Sequence, residues 1–380
     1  MALDRITLAC FRNHGATRLD GAGPINLLVG ENGAGKTNVL EAISLLAPGR
    51  GLRRAPLADM AQARGGAGGP GGTGGLPDGA PDRGGTGFAI SALLDPGDGG
   101  EPVALGTGTA PDRPGRRLVQ VNGADASAMR LGEWLAIGWL TPAMDGLFTD
   151  SAGARRRYLD RLAVALFPDH AGIASRFERA LRERNRLLAE PAADPAWLHS
   201  TERQLAEAGA ALAQRRAALV ERLSAALARE PDRPFARPLL TYRPGGADEA
   251  DALAAALAAG RARDREAGRT LIGPHRDELE VVMAGKDQLA ALCSTGEQKA
   301  MLIALTLAHA ALASAGRPGV LLLDEVAAHL DPLRREALFD RLRAGKAQAW
   351  LTGTERAPFA GLEQDAAIWR VAGGSVERVD

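Results

Sequence analysis

Leu3, Ile6, Leu8 and Cys10 alternate for the most part with polar neighbours and stop at Phe11-Arg12-Asn13, which predicts a half-buried strand. Ile25-Asn26-Leu27-Leu28-Val29 is a short apolar run of the kind found in the middle of a sheet. From about Lys36 the period becomes helical, with Val39, Leu40, Ile43 and Leu46 on one face, and Pro48-Gly49 ends it. Segments 88–94 (FAISALL), 102–108 (PVALGTG) and 116–123 (RRLVQVNG) bring strands back, the last closing on an Asn122-Gly123 turn signal. Between about 150 and 267 the chain turns Ala-, Leu- and Arg-rich, predicting helices over 153–167, 172–189 and about 200–229. In the last, Leu205, Leu212 and Leu219 recur seven apart and Leu223 and Leu227 continue the stripe. Ala208, Arg215 and Arg222 take the intervening core positions, so a sustained coiled-coil seam fails and an arm of roughly 45 Å is expected. Pro231 and Pro234 end it. After residue 270 strand–helix alternation resumes to the end. The pattern predicts an α/β head over 1–143 and 268–380, interrupted by a helical lobe over 144–267.

Composition narrows this little but usefully. The 380 residues can bury a large core, and 46 basic residues balance 46 acidic ones, which excludes a globally basic nucleic-acid coat protein. No apolar run approaches the length of a membrane-spanning helix, and Asp4 interrupts any secretory signal, so a soluble cytoplasmic protein is expected. Cys10 and Cys293 are too few for a disulfide framework or a zinc site. Residues 65–87 hold 12 glycines and three prolines, a composition that predicts a mobile surface insertion. A phosphate loop there lacks the strand-to-helix context. Of the basic residues only Lys36, Lys286, Lys299 and Lys346 are lysine, so each marks a place where a compact ammonium is favoured over a guanidinium.

Gly30-Glu31-Asn32-Gly33-Ala34-Gly35-Lys36-Thr37 fits the P-loop pattern G-x-x-x-x-G-K-[ST], with the required buried strand before it and helix after it. Its backbone N–H groups and helix N-terminus suit phosphate oxygens. Lys36 is expected to reach the β- and γ-phosphates and Thr37 to bind Mg²⁺. Val320-Leu321-Leu322-Leu323-Asp324-Glu325 carries two acids at the C-terminal end of an apolar strand. Asp324 is expected to hold Mg²⁺ and Glu325 to orient or deprotonate the attacking water. Ser294-Thr295-Gly296-Glu297-Gln298-Lys299 opens an amphipathic helix with Met301, Leu302, Leu305, Ala308 and Leu312 on its inner face. Ser294 with Glu297 reads as a capping box, and the same helix start reads as a second phosphate site. Both readings stand on sequence.

S-T-G-E-Q, thirty residues before L-L-L-D-E, resembles the S-G-G-Q signature of ABC-type ATPases, with Thr295 and Glu297 as departures. His329-Leu330-Asp331 resembles the loop after the catalytic acid in that superfamily. Phe11-Arg12-Asn13 and GENGAGKTNVLEAI look like the SMC/Rad50/RecF branch. Gly273-Pro274-His275-Arg276-Asp277 and the segment from Ser151 through Arg155-Arg156-Arg157-Tyr158-Leu159-Asp160 are similar to motifs of the RecF family of bacterial recombination-mediator ATPases. The resemblance runs from about residue 3 to 354, the Gly-rich insertion excepted. It implies an α/β fold, an ABC-type ATPase head (P-loop sheet plus antiparallel strands) with an inserted α-helical domain. It adds Arg12, Asn38, Gln298 and Asp331 to the nucleotide contacts, and places Ser294 and Gly296 on the γ-phosphate of a second copy. It further implies weak ATP hydrolysis coupled to dimerisation, with the homodimer binding gapped or single-strand/duplex DNA. RecR and RecO are the implied protein partners, and recombinase loading, replication restart and SOS induction the implied outputs. Where ABC transporters place a sensor His, this chain has Thr352-Gly353-Thr354, with Thr354 the candidate sensor. Residues 140–145 stand where a glutamine loop is expected.

Residues 151–190 hold nine Arg against five acids, and Arg176, Arg179, Arg182 and Arg186 fall near one helical face. That face could track phosphates, or be a solvated face with Glu178 and Glu183 as partners. Few aromatics, 4%, argue against base stacking as the main recognition mode. The loop 273–277 reads equally as a nucleotide- or DNA-facing element and as a structural turn. A transporter ATPase carries its signature much closer to the P-loop, and an SMC or Rad50 protein needs long heptad arms. The alternative function is an ABC-type head of a defence or chromosome-maintenance system that does not act on gapped DNA.

Overall fold

The computed structural model describes residues 2–62, 87–96, 99–191 and 194–379; the Gly-rich stretch predicted over 65–87 lies outside them except for Gly87. The chain divides into two compact units, Met1–Thr141 with Ser314–Asp380, and Pro142–Ala313. In the first, β1 (Leu3–Phe11) turns back into β2 (His14–Asp20), and β3 (Ile25–Val29) leads through the P-loop into α1 (Lys36–Ser44). The three alternating segments become β4 (Ala89–Leu94), β5 (Val103–Ala110) and β6 (Arg113–Val121), followed by β7 (Ala124–Asp125), α2 (Ala128–Trp134) and β8 (Ala136–Leu140). An antiparallel sheet forms in the order β2-β1-β4-β5-β6-β7. Its inner face buries Leu3, Ile6, Leu8 and Phe11 completely, and Phe11 meets Phe88 edge-on at 5.2 Å. The alternation of β2 is hidden from hydropathy because its inward positions include His14 and Thr17, whose polar atoms are hydrogen-bonded.

The second unit contains α3 (Ala152–Leu166), α4 (His170–Ala189), α5 (Pro195–Leu227), β9 (Pro238–Arg243), α6 (Ala250–Ala259), α7 (Arg261–Glu266), β10 (Glu278–Met283), β11 (Gln288–Leu289) and α8 (Thr295–Ala313). Helix α5 starts at Pro195 in the first turn, with Asp194 as its cap, and runs for 33 residues. It is a packed spine rather than the expected arm. Its Leu205, Ala206, Ala208 and Leu212 share a core with Ile173 and Phe177 of α4 and with Leu253 and Leu257 of α6. Arg215 and Arg222, which broke the heptad, lie over the Phe167 ring at 4.8 and 5.1 Å. The pattern predicts that the head resumes at 268, but residues 268–313 belong to this unit. The reason is β-pairing: β9, in a stretch that reads as helical, pairs with β10 over six residues and holds the chain beyond β10 in the same unit.

The chain re-enters the first unit as β12 (Gly319–Leu323), α9 (Pro332–Ala344), β13 (Gln348–Gly353), β14 (Ala366–Ala372) and β15 (Ser375–Arg378). With β3 and β8 these complete a second sheet in the order β15-β14-β3-β13-β12-β8, parallel except at β15. β12 and β13 are buried at every position, as expected of strands covered on both faces. Strand β13 lies between β3 and β12, so the C-terminal ends of all three are neighbours. Among the described residues no helix is long and apolar enough to cross a membrane.

Candidate nucleotide-binding site

Gly30 leaves the end of β3 with its N–H on the Gly353 carbonyl (3.3 Å). A Cβ at Gly30 would sit 2.1 Å from the Val371 carbonyl oxygen, so the loop tolerates only glycine there. Gly35, at φ +118, precedes α1, and a Cβ on it would lie 2.8 Å from the Asn13 amide and the His14 ring. Those two residues brace the loop from behind. Asn13 donates to the Ala34 carbonyl (3.0 Å) and accepts from the Asn38 amide (2.7 Å), while His14 lies between the Gly35 and Gly374 carbonyl oxygens at 3.1 and 2.8 Å. Glu31, Asn32 and Gly33 are exposed on the loop's outer side.

Lys36 folds back into the loop, donating to the carbonyls of Gly30 (2.6 Å) and Glu31 (2.9 Å). Burial pushes its ammonium below the ordinary value, and the nearby Glu325 and Asp324 pull it back up. The Thr37 hydroxyl donates to Asp324 at 2.9 Å to one carboxylate oxygen and 3.2 Å to the other. Asp324 is buried, and its backbone N–H donates to the Leu140 carbonyl (2.9 Å). Glu325 is half-buried with φ +54. The two motifs read separately from sequence therefore meet at one sheet edge, and Thr352 joins them: its hydroxyl donates to Asp324 (2.8 Å) and accepts from the Glu325 N–H (2.8 Å). Thr354, the expected sensor, is exposed, whereas Thr352 is buried.

The other residues expected at the nucleotide each have protein partners. Arg12 makes a two-pronged ion pair with the buried Glu41 of α1 (2.9 and 2.8 Å) and donates to the Asp59 carbonyl (2.9 Å). Arg53 joins the same carboxylate at 2.8 Å and bonds Asn38 at 2.6 Å. Asp331 caps α9, accepting from the Arg334 N–H at 3.0 Å. At the far end of α1, Arg117 caps the carbonyls of Leu45, Ala47 and Gly49, and burial pushes its guanidinium down to about 10.

In the second unit Ser294, Thr295 and Gly296 are exposed at the start of α8. The capping box forms: Ser294 N–H and hydroxyl donate to Glu297 (3.0 and 2.9 Å), and Glu297 N–H returns to Ser294 (3.4 Å). The Lys286 ammonium, 2.5 Å away, and the Ser294 bonds push the Glu297 carboxyl down to about 2. Gln298 is buried and turned back onto the Cys293 carbonyl (2.9 Å).

Similar proteins share the name "DNA replication and repair protein RecF". One from Mesorhizobium japonicum is 46% identical across 98% of this chain and 97% of its own length, and one from Rhizobium meliloti is 45% identical across 98% of each. The chain belongs to the RecF family. A solved structure, "Structure of the recombination mediator protein RecF-ATPrS in RecFOR pathway", superposes with a TM-score of 0.83 at 22% identity, covering 100% of this chain and 98% of that one. An SMC head domain from Pyrococcus furiosus reaches 0.52 at 17% identity, covering 100% and 96%. Both establish the ABC-type head fold. A family described as "AAA domain, putative AbiEii toxin, Type IV TA system" matches residues 25–107.

The two segments that tied the sequence to the RecF family interlock within the second unit. Arg216 of α5 pairs with Asp160 (2.8 Å twice), with the buried Asp277 (2.7 Å) and with the Pro274 carbonyl (2.7 Å). Asp277 also accepts from the Tyr242 hydroxyl and the Gly245 N–H. Arg155 grips Glu278 with two bonds, and Arg156 reaches the Asp277 carbonyl. The 273–277 loop is anchored through Asp277 at the start of β10, and Arg276 is exposed. Arg176, Arg179, Arg182 and Arg186 are all exposed on α4; Arg182 faces Glu178 at 3.8 Å, and Arg186 is held by Glu183 and Glu190. Arg184, between them, is fully buried on Glu202 and Asp264.

Proposed function

We propose that this chain binds ATP with Mg²⁺ at the P-loop edge and hydrolyses it slowly. Two copies then close over two nucleotides and bind DNA at gaps or single-strand/duplex junctions in recombinational repair. On this reading the dimer works in the cytoplasm with RecR and RecO to promote recombinase loading, replication restart and SOS induction. The observation that carries it is the convergence of Lys36, Thr37, Asp324 and Glu325 on one sheet edge in a chain of the RecF family.

The oxygen donors present suit Mg²⁺, since a P-loop hydroxyl and an acid at the end of a neighbouring strand are the protein ligands such sites use. When bound, the cation would offset phosphate charge. Backbone amides of the loop and the start of α1 bind phosphate, and Lys36 exchanges two carbonyls for phosphate oxygens of higher charge. Glu325 orients and deprotonates the attacking water. Ser294 and Gly296 are exposed, which suits contact with a nucleotide on a second copy. Arg12, Asn38, Gln298 and Asp331 complete the nucleotide contacts on this reading, and Arg12, Gln298 and Asp331 also set α1, the turn before α8 and the start of α9. The exposed Arg176 and Arg179 of α4 can track a DNA backbone without reading bases.

The test is affinity for gapped duplex DNA titrated with ATP–Mg²⁺ and again with ADP–Mg²⁺. Binding that appears with ATP and fades with ADP is expected. Equal or absent binding in both would favour the second reading, an ATPase head of a defence or chromosome-maintenance system, to which the toxin-associated family match over 25–107 lends support.

A further inference from the structure

Thr352 is buried, 1% exposed, near the end of β13, and its hydroxyl is the meeting point of the acid pair. It donates to Asp324 Oδ1 at 2.8 Å, the oxygen that Thr37 reaches at 2.9 Å, while Thr37 also reaches Oδ2 at 3.2 Å. The same hydroxyl oxygen accepts the N–H of Glu325, 2.8 Å away. Glu325 holds φ +54, a left-handed backbone that a side chain with a Cβ adopts only where its surroundings over-determine it. Anchoring that N–H is the kind of contact that over-determines it. The chemistry required at this point is a group that donates and accepts at once. A hydroxyl does both, and the isosteric methyl of valine does neither.

We propose that Thr352 is a positioning residue for hydrolysis: it fixes one oxygen of Asp324 and holds the left-handed turn that aims the Glu325 carboxylate. The inference rests on the reading of Asp324 as the metal-holding acid and Glu325 as the catalytic one. It assigns the strand between the two motifs a part that neither motif reveals. Its action is indirect, through the Asp324 carboxylate and the Glu325 N–H that its hydroxyl touches.

The experiment compares wild type, T352V, T352S and E325Q in steady-state ATP hydrolysis. It also measures the affinity of a fluorescent ATP analogue with Mg²⁺ and with EDTA. Loss of an outer partner of a metal-holding carboxylate typically costs about 10- to 100-fold in activity or metal affinity. T352V is expected to lose that much kcat with KM changed by less than the loss in kcat, and to need more Mg²⁺ to tighten nucleotide binding. Its affinity in EDTA should stay near wild type, which also reports that the P-loop is folded. T352S should restore both readouts. Should T352V fail to fold, T352A carries the same comparison. Wild-type turnover and wild-type Mg²⁺ dependence in T352V would overturn the proposal, as would a T352S variant as impaired as T352V. If E325Q itself hydrolyses ATP at the wild-type rate, the underlying assignment of the acids fails instead.

Discussion

At the scale of single residues, the site is built from groups that hold one another: Thr37 and Thr352 both donate to Asp324, and Thr352 accepts from the Glu325 N–H. Lys36 is almost fully buried, which pushes its ammonium below the ordinary value, while Glu325 and Asp324 oppose that shift and two carbonyls accept its hydrogen bonds. Lys36→Met removes a charge-assisted contact worth roughly 1.5–3 kcal/mol, and ATP hydrolysis is expected to fall by at least about tenfold. Phosphate-release assays across a range of ATP concentrations check this; unchanged turnover would count against the P-loop as the working site. The signature of this lysine was legible because the whole loop is contiguous in sequence. Asn13 and His14 were not, since nothing in a turn between two strands says that it will lie behind a loop twenty residues further on.

At the scale of elements, α8 and α5 carry the second unit, and each holds a buried titratable or charged group whose loss can be read. His309 of α8 is fully buried against the Leu162 carbonyl of α3 (2.9 Å), and burial pushes its ring down to about 4. Below the ordinary value near 6.5 the unfolded chain takes up a proton that the folded chain refuses, so this group costs stability progressively as pH falls from about 6.5 to 4. The loss is on the order of 3 kcal/mol by the end of that window. His309→Gln, which keeps a donor for Leu162, is expected to flatten the pH dependence of the urea midpoint between those values. A variant with the wild-type slope would show that another group governs it. Arg216→Met should be more severe, because it strands Asp277 as a buried charge short of its cation. About 3–5 kcal/mol is expected, seen as a lowered thermal midpoint. The positions of α3, α4, α5 and α8 were legible from periodicity, whereas the shorter α6 and α7 were not placed. The strand β9 was not, because Pro238 to Arg243 alternates too briefly to stand out beside long Ala- and Leu-rich helices, and only its pairing with β10 makes it a strand.

At the scale of the whole molecule, the proposed function turns on two copies meeting. The exposed start of α8 and the P-loop edge belong to different compact units, and each presents groups toward solvent that a nucleotide could join to a second chain. Glu325→Gln keeps the shape of the side chain, replaces one acceptor oxygen with an amide donor and removes its basicity. With ATP–Mg²⁺ it is expected to accumulate as a dimer, measured by light scattering after size exclusion, while the wild-type chain reverts to monomer as nucleotide is consumed. A variant that stays monomeric at saturating ATP would argue against a nucleotide sandwich.

The sequence by itself determined what is local. The P-loop lies within eight consecutive residues whose glycines set its backbone, the acid pair ends one apolar strand, and the Ser294–Glu297 cap closes within one helical turn. Tertiary structure alone decided that β13 runs between the strands bearing those motifs, and that Thr352 rather than Thr354 reaches the acids across 28 positions. It also decided that Arg12 turns to Glu41 and that Arg216 binds acids more than fifty positions away on either side. Backbone geometry is specified by neighbours along the chain, whereas the partner of a buried polar group is set by strand order and helix packing. Burial makes such a partner obligatory without saying which one it will be.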